Sequence, residues 1–502
     1  MARTIGIGHQ DFAQLMVSGC FYVDKTGFIR EWWENQDVVT LIARPRRFGK
    51  TLNMSMLERF FSVEYKGQGK IFEGLSIWNN KMYQEFQRTY PVIILLDEYD
   101  TPIQEAYVNG YWDEMTAFIR SLFNSTFKTN PYLFRAVMTG ITRISKESVF
   151  SEFVTNSEGI DDLRTHQSAS SFNLNNLTVI TTTSEIYEDS FGFTQQEVWD
   201  ALAEYGLSSQ KESVKAWYDG FVFGRKKDIY NPWSIINYLK TRKLSCYWAN
   251  TSSNHLVGKL IREESSAVKE TMEDLLKGRK LCTTIDEQII FSQLEYSESA
   301  VWSLFLAGGY LKADSYGFNE ETGIEQYELS LTNREIRITF EKMIRDWFGQ
   351  SVKEYNGFIR ALLQGNTKEM NAYMNRIALT TFSYFDTGNR PSGSEPERFY
   401  HGFVLGLMVE LDERYVITSN RESGFGRYDV MLKPRKEGDH GIILEFKVYD
   451  PDEEKNLADT VKAALKQIED KNYKSALAAE GIGEDRIRTY GFGFEGKKVL
   501  IG

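Results

Sequence analysis

The sequence predicts an α/β protein: a parallel-sheet domain over residues 1–263, a helical connector over 264–386 and a second α/β domain over 387–502. Three observations carry that prediction. Apolar runs at Val38–Ala43 and Val92–Leu96 each stop at polar residues; both read as strands, and the five consecutive apolar residues of the second read as a strand covered on both faces, as in parallel sheets. From about Glu264 to Phe385, apolar spacings of three to four residues alternate with short turns such as Gly308-Gly309, which reads as helix. Near the end of the chain, Arg427-Tyr-Asp429-Val-Met-Leu and Gly441-Ile-Ile-Leu-Glu445-Phe-Lys447-Val supply two more strands. They follow a Gly-, Pro- and Ser-bearing stretch, Thr387–Glu397, that marks a domain boundary.

Bulk properties limit the function classes. A chain of 502 residues has room for two or three domains. Its 42% hydrophobic and 26% charged content excludes a disordered or fibrous chain. A net charge of -11 excludes an evenly basic nucleic-acid coat, so phosphates must be met by local clusters. Cys20, Cys246 and Cys282 have no C-x-x-C pairing, which excludes a zinc ribbon and a disulfide scaffold and predicts buried thiols in a reducing compartment. The five histidines show no metal-binding spacing. The N-terminus has no apolar leader and no apolar run is long enough for a bilayer; the expectation is a cytoplasmic protein without a membrane partner.

The run Val38–Ala43 turns through Pro45 and Gly49 into a helical pattern of Leu52, Met56, Leu57 and Phe60. Gly49-Lys50-Thr51 at the turn matches the end of a Walker A loop. There backbone N–H groups and the helix N-terminus cradle phosphates, Lys reaches the β- and γ-phosphates, and the Thr hydroxyl holds Mg²⁺. This predicts a P-loop NTPase-like domain that takes ATP and Mg²⁺. Arg44 stands where G-x-x-x-x-G-K-[ST] has its first glycine. Arg44, Arg46 and Arg47 either add positive charge around the triphosphate or are solvated loop residues. The second run ends in Asp97, Glu98 and Asp100, at the strand end where parallel sheets bind ligands. Asp97 is expected to hold Mg²⁺ through water and Glu98 to polarise the attacking water, with Asp100 a neighbour; the bland alternative is a buried strand followed by an acidic turn. Leu133–Gly140 reads as another strand with Thr139 near its end. Farther on, Trp217-Tyr-Asp-Gly-Phe221, Tyr230-Asn-Pro-Trp-Ser234 and Tyr247-Trp248 place aromatics beside Asn and Pro. Such rings stack on a base or fill a core, and core is the more frequent use.

Along the last strand, side chains alternate faces: Glu445 and Lys447 point one way, Ile442, Leu444, Phe446 and Val448 into a core. If the Asp429 strand pairs with it, Asp429 and Glu445 can hold a hard cation such as Mg²⁺, and Lys447 can orient or deprotonate an attacking water. An open strand face with a solvated Glu and Lys is the bland alternative.

This D…E-x-K arrangement resembles the PD-(D/E)XK nuclease superfamily. Phe399-Tyr-His-Gly-Phe403, Ser419-Asn-Arg-Glu-Ser-Gly424 and Gln467-Ile-Glu resemble a bacterial branch in which the nuclease follows an AAA-ATPase-like domain. The resemblance implies a C-terminal PD-(D/E)XK nuclease-like domain with Asp429 and Glu445 as metal ligands and Lys447 as the catalytic lysine. Glu397 and Gln467 would assist. It also implies a sensor-like Thr139, an Arg143 that faces the γ-phosphate and a lid built from the aromatic stretch, and the branch shares the Arg44 substitution. Nucleic acid, DNA ahead of RNA, would be the substrate, and a homo-oligomer is left open. Two departures stand out. The interval between Thr51 and Pro91 is shorter than in the resembling branch, by about one strand and its crossover, though it still allows a parallel crossover. Glu152–Phe172 reads as a polar inserted loop. The function these features predict is an ATP-binding, ATP-hydrolysing protein coupled to a metal-dependent nuclease. The alternative is a nucleotide-switched binding module with an inactive nuclease fold, which the missing glycine, the short interval and the acidity favour.

Overall fold

The structure, a computed structural model, describes residues 2–78, 92–128, 130–141, 176–248, 257–258, 260–261, 266–285, 297–319, 324–347, 352–385, 395–423, 426–451 and 453–502. They fall into two compact units, 1–257 with 275–337, and 258–274 with 338–502. The stretch read as a connector thus contributes to both.

The first unit is built on a parallel sheet of β1 (Val39–Ala43), β2 (Val92–Leu96), β3 (Leu133–Gly140) and β4 (Leu177–Ile180), in the order β2-β3-β1-β4. Every residue of β1 is buried. Ile42 packs with Met56 and Leu57 from the helix Lys50–Phe61 and with Phe28 and Trp32 from the helix Gly27–Asn35. This apolar contact holds the turn between β1 and its helix in place. The wholly apolar β2 is not covered on both faces as its sequence predicts: Val92 is 50% exposed and the rest are half-buried. Among the described residues β2 pairs only with β3, and an edge strand loses cover that its composition alone would claim.

After β4 come β5 (Phe193–Thr194), β6 (Phe221–Phe223) and β7 (Lys226–Tyr230), an antiparallel sheet ordered β5-β7-β6. The helix Gln195–Glu204 starts at a capping box of Thr194 and Glu197, which satisfies two otherwise orphaned amides. Tyr218, Phe221, Tyr230 and Trp248 are buried as core aromatics. The stretch read as a helical connector, with winged-helix character left open, also holds β8 (Leu281–Thr283), β9 (Leu311–Asn319) and β10 (Ile324–Leu331), paired antiparallel as β8-β10-β9. Beside them the helix Glu298–Ala307 is buried from Ala300 to Leu306.

The second unit carries a five-stranded sheet in sequence order: β11 (Tyr415–Ser423), β12 (Gly426–Pro434), β13 (Gly441–Val448), β14 (Ile487–Glu495) and β15 (Lys498–Ile501). Only the β13–β14 pair is parallel, and the helix Leu457–Asp470 lies in the crossover between them. Ile443, Ile468, Tyr473 and Leu477 share one apolar cluster, so β13 has no open face in the stretch leading to Glu445. Farther along, Val448 is 51% exposed rather than in the core. The edge strand β15 is closed by the helix Thr367–Phe385: Asn371 exchanges two hydrogen bonds with the backbone of Ile501 (2.8 Å each), and Asn375 does the same at Val499 (2.7 and 2.9 Å). Two amides one turn apart thereby act as a short strand.

The three cysteines are not the buried thiols expected: Cys20 and Cys246 are half-buried and Cys282 is exposed. Among the described residues no helix is long and apolar enough to cross a membrane.

Candidate functional site

In the first unit, β1, β2 and β3 bring their C-terminal ends together around the turn from β1 to the helix Lys50–Phe61. Gly49 caps that helix with φ 82°, a left-handed conformation open to glycine without strain. Lys50 is buried, and its Nζ donates to the carbonyls of Arg44 (2.8 Å) and Pro45 (3.0 Å). Burial pulls its ammonium down to about 8, against the pull of Asp100, Glu98 and Asp97. Thr51 donates through Oγ1 to Asp97 Oδ2 (2.5 Å), and Thr139 Oγ1 donates to Asp97 Oδ1. The Thr139 hydroxyl also accepts from the Glu98 amide (3.2 Å), which fixes Glu98 at φ 50°. Thr51, Asp97, Glu98 and Thr139, from three separate stretches of sequence, therefore form one connected cluster. Asp100 Oδ2 accepts from the Ile141 amide and from Gln104 Nε2 (2.9 Å each), and Gln104 Oε1 accepts from Arg46 (3.4 Å).

The arginines part company. Arg47 is exposed and sets its guanidinium over the Trp233 ring, 4.6 Å from the centroid. Arg44 answers to neither expectation, triphosphate contact or solvated loop. It is fully buried, donates to the carbonyls of Ala43 (3.0 Å), Thr181 and Ile186 (3.3 Å), and lies 4.7 Å from the Phe223 ring centroid. Burial pulls it down to about 9. Its role is to bind the start of the loop to the backbone after β4. Arg143 lies outside the described residues.

In the second unit, Val430 pairs with Leu444 in the β12–β13 ladder, so Asp429 and Glu445 follow side by side where that ladder ends. Asp429 Oδ2 accepts from the Phe446 amide (2.7 Å). Glu445 is 2% exposed. One of its oxygens accepts from Gln467 Nε2 on the crossover helix; among the described residues the other, Oε2, has no hydrogen-bond partner. Burial and then the Asp429 charge push the Glu445 carboxyl up to about 8, while Lys447 pulls the other way. A buried carboxylate oxygen with no donor, beside a second carboxylate, fits a small hard cation: Mg²⁺ takes one or two carboxylates and completes its shell with water or phosphate oxygens. Among the described residues no cluster of three or more His, Cys, Asp or Glu gathers for a metal.

Both clusters lie in segments that match known families. Residues 6–95 and 91–150 match the family described as "Predicted AAA-ATPase", and residues 395–502 match the PD-(D/E)XK nuclease superfamily. The chain joins an AAA-ATPase-like domain to a PD-(D/E)XK nuclease domain. The two ATPase segments overlap at residues 91–95. A protein of Azotobacter chroococcum mcd 1, described as "Uncharacterized protein in vnfD 5'region", is 23% identical over 547 residues, covering 95% of this chain and 94% of its own length.

Within the nuclease domain, Gln467 meets Glu445 directly. Glu397 belongs to the helix Glu395–Leu411, and its side chain lies outside the described residues. Sequence reasoning missed Tyr473, whose hydroxyl accepts from Gln467 Nε2 (3.4 Å); burial pushes this phenol up and the Glu445 and Asp429 charges add to it. An aromatic just past the end of the Gln467 helix was the available signal. Sequence reasoning likewise missed Gln104, one turn after Asp100, and it did not foresee that Asn231 and Trp248, from the aromatic words it noted, donate to the Arg46 carbonyl at 3.2 and 2.9 Å.

Proposed function

We propose that the chain binds and hydrolyses ATP and cleaves phosphodiester bonds of nucleic acid in a metal-dependent reaction, with ATP governing access of nucleic acid to the nuclease site. The observation that carries the nuclease reading is the buried Glu445 carboxyl beside Asp429, one of whose oxygens meets no hydrogen-bond partner among the described residues. Asp429 and Glu445 would hold Mg²⁺, which when bound supplies charge stabilisation on the phosphate oxygens. Asp429 is anchored by the Phe446 amide and Glu445 by Gln467, so both carboxylates are oriented before any ligand arrives. Lys447 shares the Glu445 face of β13 and orients the attacking water or takes its proton.

In the ATPase-like domain, Thr51 and Asp97 are the residues to hold Mg²⁺, and their 2.5 Å contact supports that pairing. Lys50 would exchange the carbonyls of Arg44 and Pro45 for phosphate oxygens, and Glu98 would polarise the attacking water. The amides at Gly49 and at the start of the following helix supply further donors. Arg47 stands close by, whereas Arg44 serves by holding the loop.

The test is cleavage of mixed DNA and RNA substrates by the full chain with Mg²⁺ or Mn²⁺, with and without ATP, beside Glu445→Ala. Metal-dependent cleavage that disappears in the variant, with ATP binding kept, is the expected result. Cleavage retained by the variant removes Glu445 from the mechanism. No cleavage by the folded wild type under any of these conditions moves the reading to a nucleotide-switched binding protein.

A further inference from the structure

The antiparallel pair β9–β10 runs past the core that its other end joins. Leu311 and Leu329 are buried, whereas Tyr316 and Phe318, farther along β9, are 55% and 54% exposed. Tyr316 stands directly opposite Tyr327 in the ladder, and Phe318 opposite Glu325. Side chains alternate faces along a strand and pair directly across it, so these four residues occupy one face as two neighbouring cross-strand pairs. The face is a block of three aromatic rings around one carboxylate, and two of the rings stand in water.

Glu325 is fixed within this block. The Tyr316 hydroxyl donates to its Oε1 (3.0 Å) and the Tyr327 hydroxyl to its Oε2 (3.3 Å); the bond to Glu325 pushes the Tyr316 phenol up. The two tyrosine rings lie 5.2 Å apart at 51°. Two other acids of the ladder are neutralised: Lys280 reaches Asp314 (3.3 Å) and Glu328 (2.8 Å). Among the described residues Glu325 has no ion pair, and no Lys or Arg lies over the Tyr316 or Phe318 ring. A carboxylate whose oxygens are each oriented by a phenol, with aromatic rings beside it, offers a cation charge-assisted acceptors and π-faces together. A guanidinium uses both better than an ammonium does, because it is planar, bonds a carboxylate in bidentate fashion and stacks on rings. Over residues 311–331 the sequence sets Lys312 against Asp314, Glu320, Glu321, Glu325 and Glu328, a balance that repels a phosphate backbone and attracts a basic chain.

We propose that the face formed by Tyr316, Phe318, Glu325 and Tyr327 is a docking site for an arginine side chain carried on a basic segment of a partner protein. The arginine bonds the Glu325 carboxylate and lies against the Tyr316 and Phe318 rings. The site uses none of the residues of the nucleotide or nuclease clusters, so it stands whether or not those two activities are present.

The experiment is fluorescence anisotropy of the full chain with labelled decapeptides of alternating Arg-Gly and of alternating Lys-Gly, at physiological salt. The wild type is expected to bind the arginine peptide more tightly than the lysine peptide. Phe318→Ala, Tyr316→Ala and Glu325→Gln should each weaken the arginine peptide by about three- to thirtyfold, the range of one cation–π contact or one charged hydrogen bond. Glu73→Gln, which removes the same charge from an exposed position outside the hairpin, should leave it within about twofold. Phe318→Ala breaks no hydrogen bond, so that arm stands even if Tyr316→Ala disturbs the hairpin. Absence of binding by the wild type overturns the proposal, and so does equal affinity for the two peptides. Equal weakening by Glu325→Gln and Glu73→Gln, with Phe318→Ala unchanged, overturns it by reducing the binding to the general attraction of an acidic chain. Self-association of the wild type that Phe318→Ala abolishes assigns the face to a second copy and overturns it as well.

Discussion

In the AAA-ATPase-like domain the polar groups of the site are bonded to one another: Lys50 to loop carbonyls, and Thr51 and Thr139 to the two oxygens of Asp97. In the nuclease domain the corresponding charges crowd together instead. Burial first and the Asp429 charge second raise the Glu445 carboxyl, and one Glu445 oxygen meets no hydrogen-bond partner among the described residues. The difference lies in the kinds of groups supplied. Two hydroxyls and an ammonium can satisfy a carboxylate and carbonyls without help, whereas a buried carboxylate beside a half-buried one ionises at a cost that a cation relieves. A ligand of the first site must displace bonds already made. At the second, a cation relieves an existing penalty.

The largest expected effect separates the sites by activity. Lys447→Ala should lower metal-dependent cleavage by about 10²–10⁴-fold, the range of a general acid–base contribution, with ATP affinity unchanged. Lys50→Ala should do the converse, removing ATP binding while leaving cleavage measured without ATP within about twofold. If either substitution impaired both activities alike in correctly folded protein, the division into two independent sites would be wrong.

Stability in a chelator should then change with opposite sign at the two sites. Asp97→Ala leaves the hydroxyls of Thr51 and Thr139 without their acceptor and should destabilise the first unit by about 1–3 kcal/mol. Glu445→Gln replaces an acid whose charged form burial and Asp429 oppose and should stabilise the second unit by about 1–4 kcal/mol at neutral pH. Melting temperatures of the chelated proteins read both signs. Adding Mg²⁺ should reverse the second, because only the wild-type carboxylate gains from the cation. A Glu445→Gln protein less stable than wild type in chelator would mean that this carboxylate is not strained.

What could be read from the sequence, and what could not, follows the same physical line. Lys50, Thr51, Asp97, Thr139, Asp429 and Glu445 sit at the ends of apolar runs, and a strand end followed by polar residues is a local pattern. Their clustering needed only the parallel sheet in one domain and the β12–β13 ladder in the other. The inward turn of Arg44 depends on carbonyls more than 130 residues away, at Thr181 and Ile186, and no window around Arg44 contains them. The exposure of β2 is equally non-local: Val92–Leu96 has a core composition, and only strand order makes it an edge. At β15 the opposite outcome, an edge closed by Asn371 and Asn375, rests on two amides that read as ordinary polar residues of a helix. The strands β8 to β10 were hidden because half-buried strands and helices share apolar spacings over short windows.

The sharpest form of the comparison is in pH. The Glu445 carboxyl is raised from 4.5 to about 8, by burial first and by Asp429 second. In metal-free protein the folded state therefore keeps a proton that the unfolded chain releases across that window, and this residue's contribution to stability falls as pH rises through it. Lys50 is lowered from 10.5 to about 8 by burial. Between those values the unfolded chain binds a proton that the folded state lacks, so the Lys50 contribution rises with pH. Each slope has a ceiling of about 1.4 kcal/mol per pH unit. Subtracting Glu445→Gln from wild type should expose the first slope between about pH 5 and 8, and subtracting Lys50→Met the second between about pH 8 and 10. The two differences bend in opposite directions because one domain buries an acid next to another acid and the other buries a base among carbonyls. Parallel curves for wild type and Glu445→Gln would mean that the carboxyl ionises as it does in water, and the case for a cation between Asp429 and Glu445 would lose its electrostatic basis.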